Sequence, residues 1–200
     1  NAAQRRLAHH LLLRMLSAVP PGQLELTLID PLKLGKSVGS FLSLLKVEQL
    51  VPQQRVLTRS DEIETALNQL TTEVEELIQH RFNDREPGWT EFNASHADTH
   101  LPYRVVLLFD VPEQLSEKSL WYLERLCENG PRCGVLAILA IDGSRVEDRR
   151  FEKFRAAMEN LTTRLDALLR GPDDEGDGLS FAYEPEQWPD QDLLEGIIAL

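Results

Sequence analysis

Short, uninterrupted runs of apolar residues alternate along this chain with longer segments in which apolar residues recur every three or four positions. Three of the short runs, at 24–29, 104–110 and 135–141, are rich in valine, leucine and isoleucine. Runs of this kind predict strands that are buried on both faces of a parallel sheet. Asp30 follows the first run, Asp110 closes the second and Asp142 follows the third.

The longer segments have the periodicity of amphipathic helices. Helices are predicted at 2–18, 61–81, 116–128 and 147–170, and the clearest apolar stripe is formed by Ile63, Ala66, Leu67, Leu70, Val74, Leu77 and Ile78. Asp61 with Glu64 predicts an N-terminal capping arrangement for the second helix, and Ser116 predicts a cap for the third. Weaker patterns predict short helices at 38–45 and 89–94, strands at 55–58 and 179–183, and a terminal helical turn at 190–199.

The alternation of strands and helices predicts the α/β class, with a mostly parallel sheet, helices on both of its faces and right-handed crossovers. We expect one domain over residues 1–170. An acidic, glycine-containing loop and a C-terminal extension toward a following domain then occupy 171–200. Ligands of such sheets bind outside the carboxyl ends of the strands. We therefore expect Asp30, Asp110 and Asp142 to lie along one edge.

Composition and charge exclude several classes of protein. With 42% hydrophobic and 27% charged residues, the chain is not disordered as a whole. A formal net charge of −12 argues against a surface that coats nucleic acid, which needs clustered lysine and arginine. No run approaches the ~20 apolar residues that cross a bilayer. Cys127 and Cys133 make no disulfide framework, so a reducing, cytoplasmic location is expected. Because Asn1 lies within a helical pattern, we expect a piece of a longer protein.

The run that closes on Asp110 has the form of a Walker B strand, whose aspartate organises Mg²⁺ on a nucleotide. Asp110 is therefore a candidate nucleotide and Mg²⁺ residue, with Asp142 as a second candidate for the nucleotide. In ATP-hydrolysing motors the next residue is usually a carboxylate that polarises the attacking water, but here it is Val111. An alternative that remains open is that Asp110 only caps the loop before Ser116.

The segment Leu34-Gly35-Lys36-Ser37 invites comparison with a phosphate-binding P-loop. That loop requires G-x-x-x-x-G-K-[ST], because glycines let successive backbone N–H groups wrap a phosphate. The position of the first glycine is held by Asp30, and a carboxylate there would repel a phosphate. The sequence therefore favours an ordinary loop that leads to a helix with Ser37 as its N-cap.

The remaining polar clusters carry weaker signals. Arg145, Arg149 and Arg150 form a basic patch that predicts either a solvated helix start or a contact with a partner or DNA. His96 and His100 are four residues apart, but no cysteine or carboxylate cluster completes a metal site with them. No metal is therefore predicted apart from Mg²⁺ carried by a nucleotide.

Five segments in order along residues 1–145 match motifs of one known family. Residues 28–34 read Leu-Ile-Asp-Pro-Leu-Lys-Leu, like a second-strand motif, and residues 101–110 match a Walker B strand. The helix end at 75–82, the turn at 130–135 and the strand at 138–142 match three further motifs. Together these segments resemble the FtsK/SpoIIIE family of hexameric DNA-pumping ATPases.

The resemblance implies a RecA-like fold of the P-loop NTPase type, with ATP and Mg²⁺ as the cofactors of the family and DNA translocation in chromosome segregation as its activity. It places the family's phosphate-binding loop before Asn1. It also places Val111 where the family usually has glutamate and Asp142 where it has a sensor glutamine. Three parts that phosphoryl transfer requires are thus missing or replaced.

We therefore expect a degenerate, pseudo-ATPase module of a multi-domain motor, as in type VII secretion motors, with a structural or regulatory role. It would not bind ATP and Mg²⁺ by itself and would not insert into a membrane. Its expected partners are neighbouring motor domains of the same chain or ring, with DNA reached through pore loops. Two alternatives stay open. One is an active DNA translocase whose Walker A lies upstream, and the other is a protein-interaction module of a secretion-type motor.

Overall fold

A computed structural model of the chain describes residues 2–82 and 86–141, together with Glu152 and Ala156. Its centre is a sheet of three parallel strands in the order β1-β2-β3. Strand β1 is Leu24–Ile29, β2 is Tyr103–Val111 and β3 is Val135–Ile141. The three predicted strands and the parallel α/β sheet are thereby confirmed.

The helical segments fall between the strands. Helix α1 is Ala2–Ala18, α2 is Ser60–Glu76 with a π-helical turn at Leu77–Arg81, α3 is Trp89–Ser95 and α4 is Glu117–Asn129; 3₁₀ segments occur at Lys36–Lys46, Ala97–Thr99 and Gly130–Cys133. Among the described residues no helix is long and apolar enough to cross a bilayer.

Two hydrophobic layers cover the two faces of the sheet. Side chains alternate along β2, so that Val106 and Leu108 pack with α2 and α4, whereas Val105 and Leu107 pack with α1 and the segment Lys36–Lys46. The side chains of all four strand residues are at most 2% exposed. Helices therefore lie on both faces, as the uninterrupted apolar runs predicted.

The register of the sheet is regular except near the end of β2. Strand β1 pairs with β2 from Leu24↔Tyr103 to Ile29↔Leu108. Strand β3 pairs with β2 in step as far as Leu108, and the register then shifts before Val111. An irregularity of this kind re-aims the side chains beside it, and here the residues beside it include Asp110.

Several predictions about helix ends and short strands need correction. The stripe of α2 is confirmed, but its N-cap position is held by Arg59 and no side chain caps it. The predicted Asp61–Glu64 cap is therefore wrong, since Asp61 pairs with Arg59. The predicted strand 55–58 is also wrong, because Leu57 alone forms a bridge, with Ile29. The Ser116 cap on α4 is confirmed by a 3.0 Å bond from the Ser119 amide.

The predicted elements 147–170, 179–183 and 190–199 lie outside the described residues, except that Glu152 and Ala156 are helical. The proposed division at residue 170 falls there as well and stays a prediction.

Candidate functional site

The carboxyl end of β1 is occupied by a fully buried aspartate. Asp30 is 0% exposed, and its carboxylate accepts three hydrogen bonds from the loop that follows it. Oδ2 accepts from the amides of Gly35 and Ser37, both at 2.9 Å, and Oδ1 accepts from the Ser37 hydroxyl at 3.1 Å. Both carboxylate oxygens are therefore satisfied inside the protein.

The conformation of the loop explains why its donors converge. Leu34 has φ 52° and Gly35 has φ 89°, so two successive residues are left-handed. This turns the following N–H groups inward, as in the backbone nests that bind anions. Helical structure then begins at Lys36 with Gly35 in the N-cap position. The prediction of Ser37 as the N-cap is wrong, because its hydroxyl bonds to Asp30 instead.

The nest is thus filled by an anion that belongs to the chain itself. In the sequence, Asp30 stands where a P-loop has its first glycine, and its carboxylate is expected to repel a phosphate. The structure shows the carboxylate accepting hydrogen bonds from the amides of Gly35 and Ser37. A phosphate would have to displace Asp30 to reach the same donors.

A second carboxylate lies at the same edge of the sheet. Asp110 ends the regular part of β2 with φ 55°, and its Oδ1 accepts from Lys33 Nζ at 3.4 Å. Its Oδ2 is buried and has no hydrogen-bond partner among the described residues. The expected gathering at one edge is confirmed for Asp30 and Asp110, because they end adjacent parallel strands and Lys33 joins their loops.

The turn that follows β2 bears on the alternative in which Asp110 only caps the loop before Ser116. The turn is closed by the main-chain carbonyl of Asp110, which accepts from the Glu113 amide at 2.9 Å. Among the described residues, the carboxylate itself bonds only to Lys33. Asp110 therefore does not cap the loop before Ser116 with its side chain.

The described residues do not fit a magnesium ion held by the protein alone. Mg²⁺ requires several oxygen ligands, whereas Asp30 is fully engaged and Asp110 offers one uncommitted oxygen. The Lys33 ammonium, 3.4 Å from Asp110, would also repel a divalent cation. Within the described part of the chain, no group of three histidine, cysteine or acidic side chains is placed to hold a metal.

Val111, next to Asp110, is 0% exposed and belongs to the hydrophobic layer under α2 and α4. An aliphatic side chain in that layer neither accepts a proton nor orients a water molecule. The glutamate of hydrolytic motors therefore has no counterpart at this position.

His9 ties α1 to the same loop. Its Nε2 lies 2.5 Å from the carbonyl oxygen of Ser37, and its ring packs edge-on against Phe41 at 5.1 Å between centroids. Burial lowers the pKa of His9 below its usual value, although the bond to Ser37 acts in the opposite direction. The neutral imidazole of His9 thus supports the loop that contains Ser37.

Sequence reasoning missed Lys33 and His9. The signal for Lys33 was present, since a lysine three residues after one strand-ending aspartate can reach the aspartate that ends the adjacent parallel strand. No local signal marked His9, whose partner Ser37 is 28 residues away.

The structure does not describe the other predicted site residues. Asp142, Arg145, Arg149 and Arg150 lie outside the described residues. Of the two histidines considered as metal ligands, His96 stacks its ring on Phe92, with the ring centroids 4.2 Å apart.

The two cysteines are protected thiols. Burial raises the pKa of Cys127 and of Cys133 to about 11, and Glu128 and Glu124 add to the effect at Cys127. Thiols with so high a pKa are poor nucleophiles and poor metal ligands at neutral pH.

Comparison with known proteins gives a structural likeness but no match in sequence. No family model matches the chain, and no curated protein matches it. Among solved structures, it is similar to the pCW3 conjugation coupling protein TcpA, solved in a monomer form with ATPγS, at 14% identity and a TM-score of 0.46. The match covers 65% of this chain and 38% of that protein, so the chain spans well under half of its relative's length. A likeness this remote carries no argument about function.

Proposed function

We propose that this chain is a motor-type α/β module that acts by packing against neighbouring motor domains and regulating them, and not by hydrolysing ATP. The observation that carries the proposal is the Asp30 carboxylate, which accepts from Gly35, Ser37 and the Ser37 hydroxyl in the only loop whose sequence approaches a phosphate-binding motif. A phosphate competing for those donors would meet a buried negative charge, which is strongly unfavourable.

Two further contacts support the same proposal. Lys33, a cation at the site, is engaged with Asp110, the Walker B-like carboxylate. Val111, the residue after Asp110, is fully buried in the core. Phosphoryl transfer depends on positioned charges around the phosphates and the attacking water. Here the charges of Lys33 and Asp110 neutralise one another. The position of the glutamate that would orient water is occupied by the aliphatic Val111. The order of FtsK/SpoIIIE-like motifs supports a motor as the larger context.

The experiment measures nucleotide binding and turnover by the purified chain. We expect no saturable heat on titration with ATP and Mg²⁺, and no phosphate release above background, with or without duplex DNA. Asp110→Asn serves as the matched variant and should behave as the wild type does. Turnover near the ~1–10³ s⁻¹ of typical enzymes, abolished by Asp110→Asn, would refute the proposal.

A second candidate is an active DNA translocase that receives its Walker A from elsewhere in a longer protein. One observation favours it: Oδ2 of Asp110 is buried and without a partner among the described residues, and so remains available to a nucleotide-bound cation. The same assay on a longer protein that includes the preceding residues separates the candidates. DNA-stimulated turnover there, lost in Asp110→Asn, would support the translocase.

A further inference from the structure

An open cleft of about 290 Å³ lies at the edge of the sheet opposite to the strand-ending carboxylates. Tyr103, one of its lining residues, begins β2, so the cleft is at the amino edge. Pro87 and Pro131, which also line it, are exposed, and the rings of Trp89 and Tyr103 are partly exposed. Part of its wall is therefore formed by rings that solvent can reach.

Arg132 brings a positive charge to this cleft. Its side chain is exposed, and its Nε donates to the main-chain carbonyl of Pro87. In the described part of the chain no ion pair includes Arg132, whereas four other arginines each pair with a carboxylate, namely Arg55, Arg59, Arg104 and Arg125. The bond to Pro87 orients the guanidinium and leaves its two terminal amino groups for an anion. A guanidinium held in this way can bind a carboxylate through both groups.

The rings beside Arg132 restrict what that carboxylate can belong to. Trp89 stacks on Tyr103 with 4.0 Å between the ring centroids, and its indole N–H donates to the Leu101 carbonyl. The two aromatic rings are thus held in place. Glu91 also lines the cleft and would repel any carboxylate that lies away from Arg132. The ligand that fits is an extended peptide with a carboxylate next to a proline or an aromatic residue.

The negative charge of the chain is concentrated in its last 30 residues. Residues 171–200 contain nine of the 33 acidic residues and none of the 21 lysines and arginines, which leaves 24 acidic residues against 21 basic ones in 1–170. Residues 184–190, which we call the acidic-proline segment, read Glu-Pro-Glu-Gln-Trp-Pro-Asp. Each of its three carboxylates is next to a proline. This segment has the chemistry that the cleft requires.

The acidic-proline segment can reach the cleft of its own molecule. Strand β3 ends at Ile141, at the carboxyl edge, and has seven residues, so the two edges are about 20 Å apart along it. Residues 142–183 connect Ile141 to the segment. A chain of that length would span about 60 Å even if it were wholly helical. The connection is therefore long enough to return across the sheet.

We infer that the acidic-proline segment docks into this cleft of its own molecule, with Glu186 on Arg132 and Trp188 against Pro131. The connecting residues hold the segment at an effective concentration of the order of 1 mM, so a contact with a Kd of about 1 mM is formed about half of the time. The docked segment covers the amino edge and controls access of other proteins to it. This contact goes beyond the proposed function and is independent of it, because it lies at the edge opposite to Asp30.

NMR spectra of the whole ¹⁵N-labelled chain test the contact through the indole N–H signals. The Trp89 signal reports on the cleft, and the signal of Trp121, which is 50% exposed on α4, is the internal reference. The double variant Glu186→Gln/Trp188→Ala should shift the Trp89 signal and leave that of Trp121 in place. The matched control is Asp173→Asn/Asp174→Asn, which removes two charges outside the segment and should leave both signals unchanged. The Trp89 position should not depend on protein concentration, since the contact is intramolecular.

A synthetic peptide of residues 181–192 provides the second arm. Added to Glu186→Gln/Trp188→Ala, it should return the Trp89 signal to its wild-type position. Arg132→Gln in the same background should weaken peptide binding about tenfold or more, whereas Arg81→Gln, at an exposed arginine outside the cleft, should not. A Trp89 signal that is the same in wild type and double variant would overturn the contact, as would peptide binding that is indifferent to Arg132. If the peptide shifts the Trp89 signal of the wild type as strongly as that of the variant, the cleft is open in the whole chain and the inferred docking is wrong.

Discussion

At the scale of single residues, Asp30 organises the carboxyl edge of the sheet. A buried carboxylate is costly unless hydrogen bonds compensate for the loss of water, and the three bonds from the loop provide that compensation. The same bonds hold Leu34 and Gly35 in left-handed conformations. The geometry of the loop, the left-handed conformation of Leu34 and the filling of the nest thus depend on one side chain.

Replacing Asp30 with alanine should lower the free energy of unfolding by about 3 kcal/mol or more, because two amides and a hydroxyl would be left buried without an acceptor. Urea denaturation followed by circular dichroism measures the change. Asp98→Ala, at an exposed position, is the control and should stay within about 0.5 kcal/mol of the wild type. An equally small effect of Asp30→Ala would contradict this account of the loop.

His9 makes stability depend on pH. Its pKa is lowered in the folded protein, chiefly by burial and further by Arg5 and His10, so the unfolded chain binds more protons at mildly acidic pH. Its contribution is complete above the ordinary histidine pKa of about 6.5 and declines as the pH falls from there toward the folded pKa.

We therefore expect wild-type protein to lose more stability than His9→Gln between pH 7.5 and 5.5, as measured by urea denaturation at each pH. His80→Gln, at an exposed histidine, should follow the wild-type curve. Parallel curves for wild type and His9→Gln would show that His9 does not titrate in a buried environment.

At the scale of elements, contacts at the start of helix α4 and at the starts of strands β2 and β3 hold the layers in place. The start of α4 is fixed by Ser116, which caps its own helix and donates to Glu64 of α2 at 2.5 Å. At the opposite edge, Gly134 leads into β3 with φ 73° and lies against the indole of Trp89 in α3. That indole stacks on Tyr103 at 4.0 Å and donates to the Leu101 carbonyl. The start of β2 and the start of β3 thus share one aromatic contact.

Gly134→Ala should destabilise the protein by about 2–4 kcal/mol, because a Cβ there would lie 2.4 Å from Trp89 Cδ1 and the residue would keep a left-handed conformation. Thermal and urea unfolding measure the loss. Gly39→Ala is the control, since its Cβ would meet nothing within 4 Å and the substitution should be neutral or slightly stabilising. If both variants have the same free energy of unfolding, the packing of Trp89 on Gly134 does not contribute to stability.

At the scale of the whole molecule, the central position of β2 explains how two distant sequence segments meet. Strands β1 and β2 begin 79 residues apart yet lie side by side in parallel, as Leu24↔Tyr103 shows. Their carboxyl ends therefore share an edge, and Lys33 spans it to Asp110. The same parallel arrangement sends α2 and α4 back across one face of the sheet.

The sequence by itself determined the periodic features. Uninterrupted apolar runs identified the three strands, the spacing from Ile63 to Ile78 identified α2, and Ser116 identified the start of α4. These signals are local, because a strand or helix needs only its own pattern of buried positions. The two carboxylates that close strands were also visible, since parallel strands must end at a common edge.

Tertiary structure decided what those carboxylates do. From the sequence, the charge of Asp30 is expected to repel phosphate, but in the structure the carboxylate bonds to two amides of a turn in which Leu34 and Gly35 are both left-handed. The contact between Lys33 and Asp110 joins residues 77 apart, and that between His9 and Ser37 joins residues 28 apart. Such contacts arise when packing brings separate segments into register, and no periodicity along the chain encodes them.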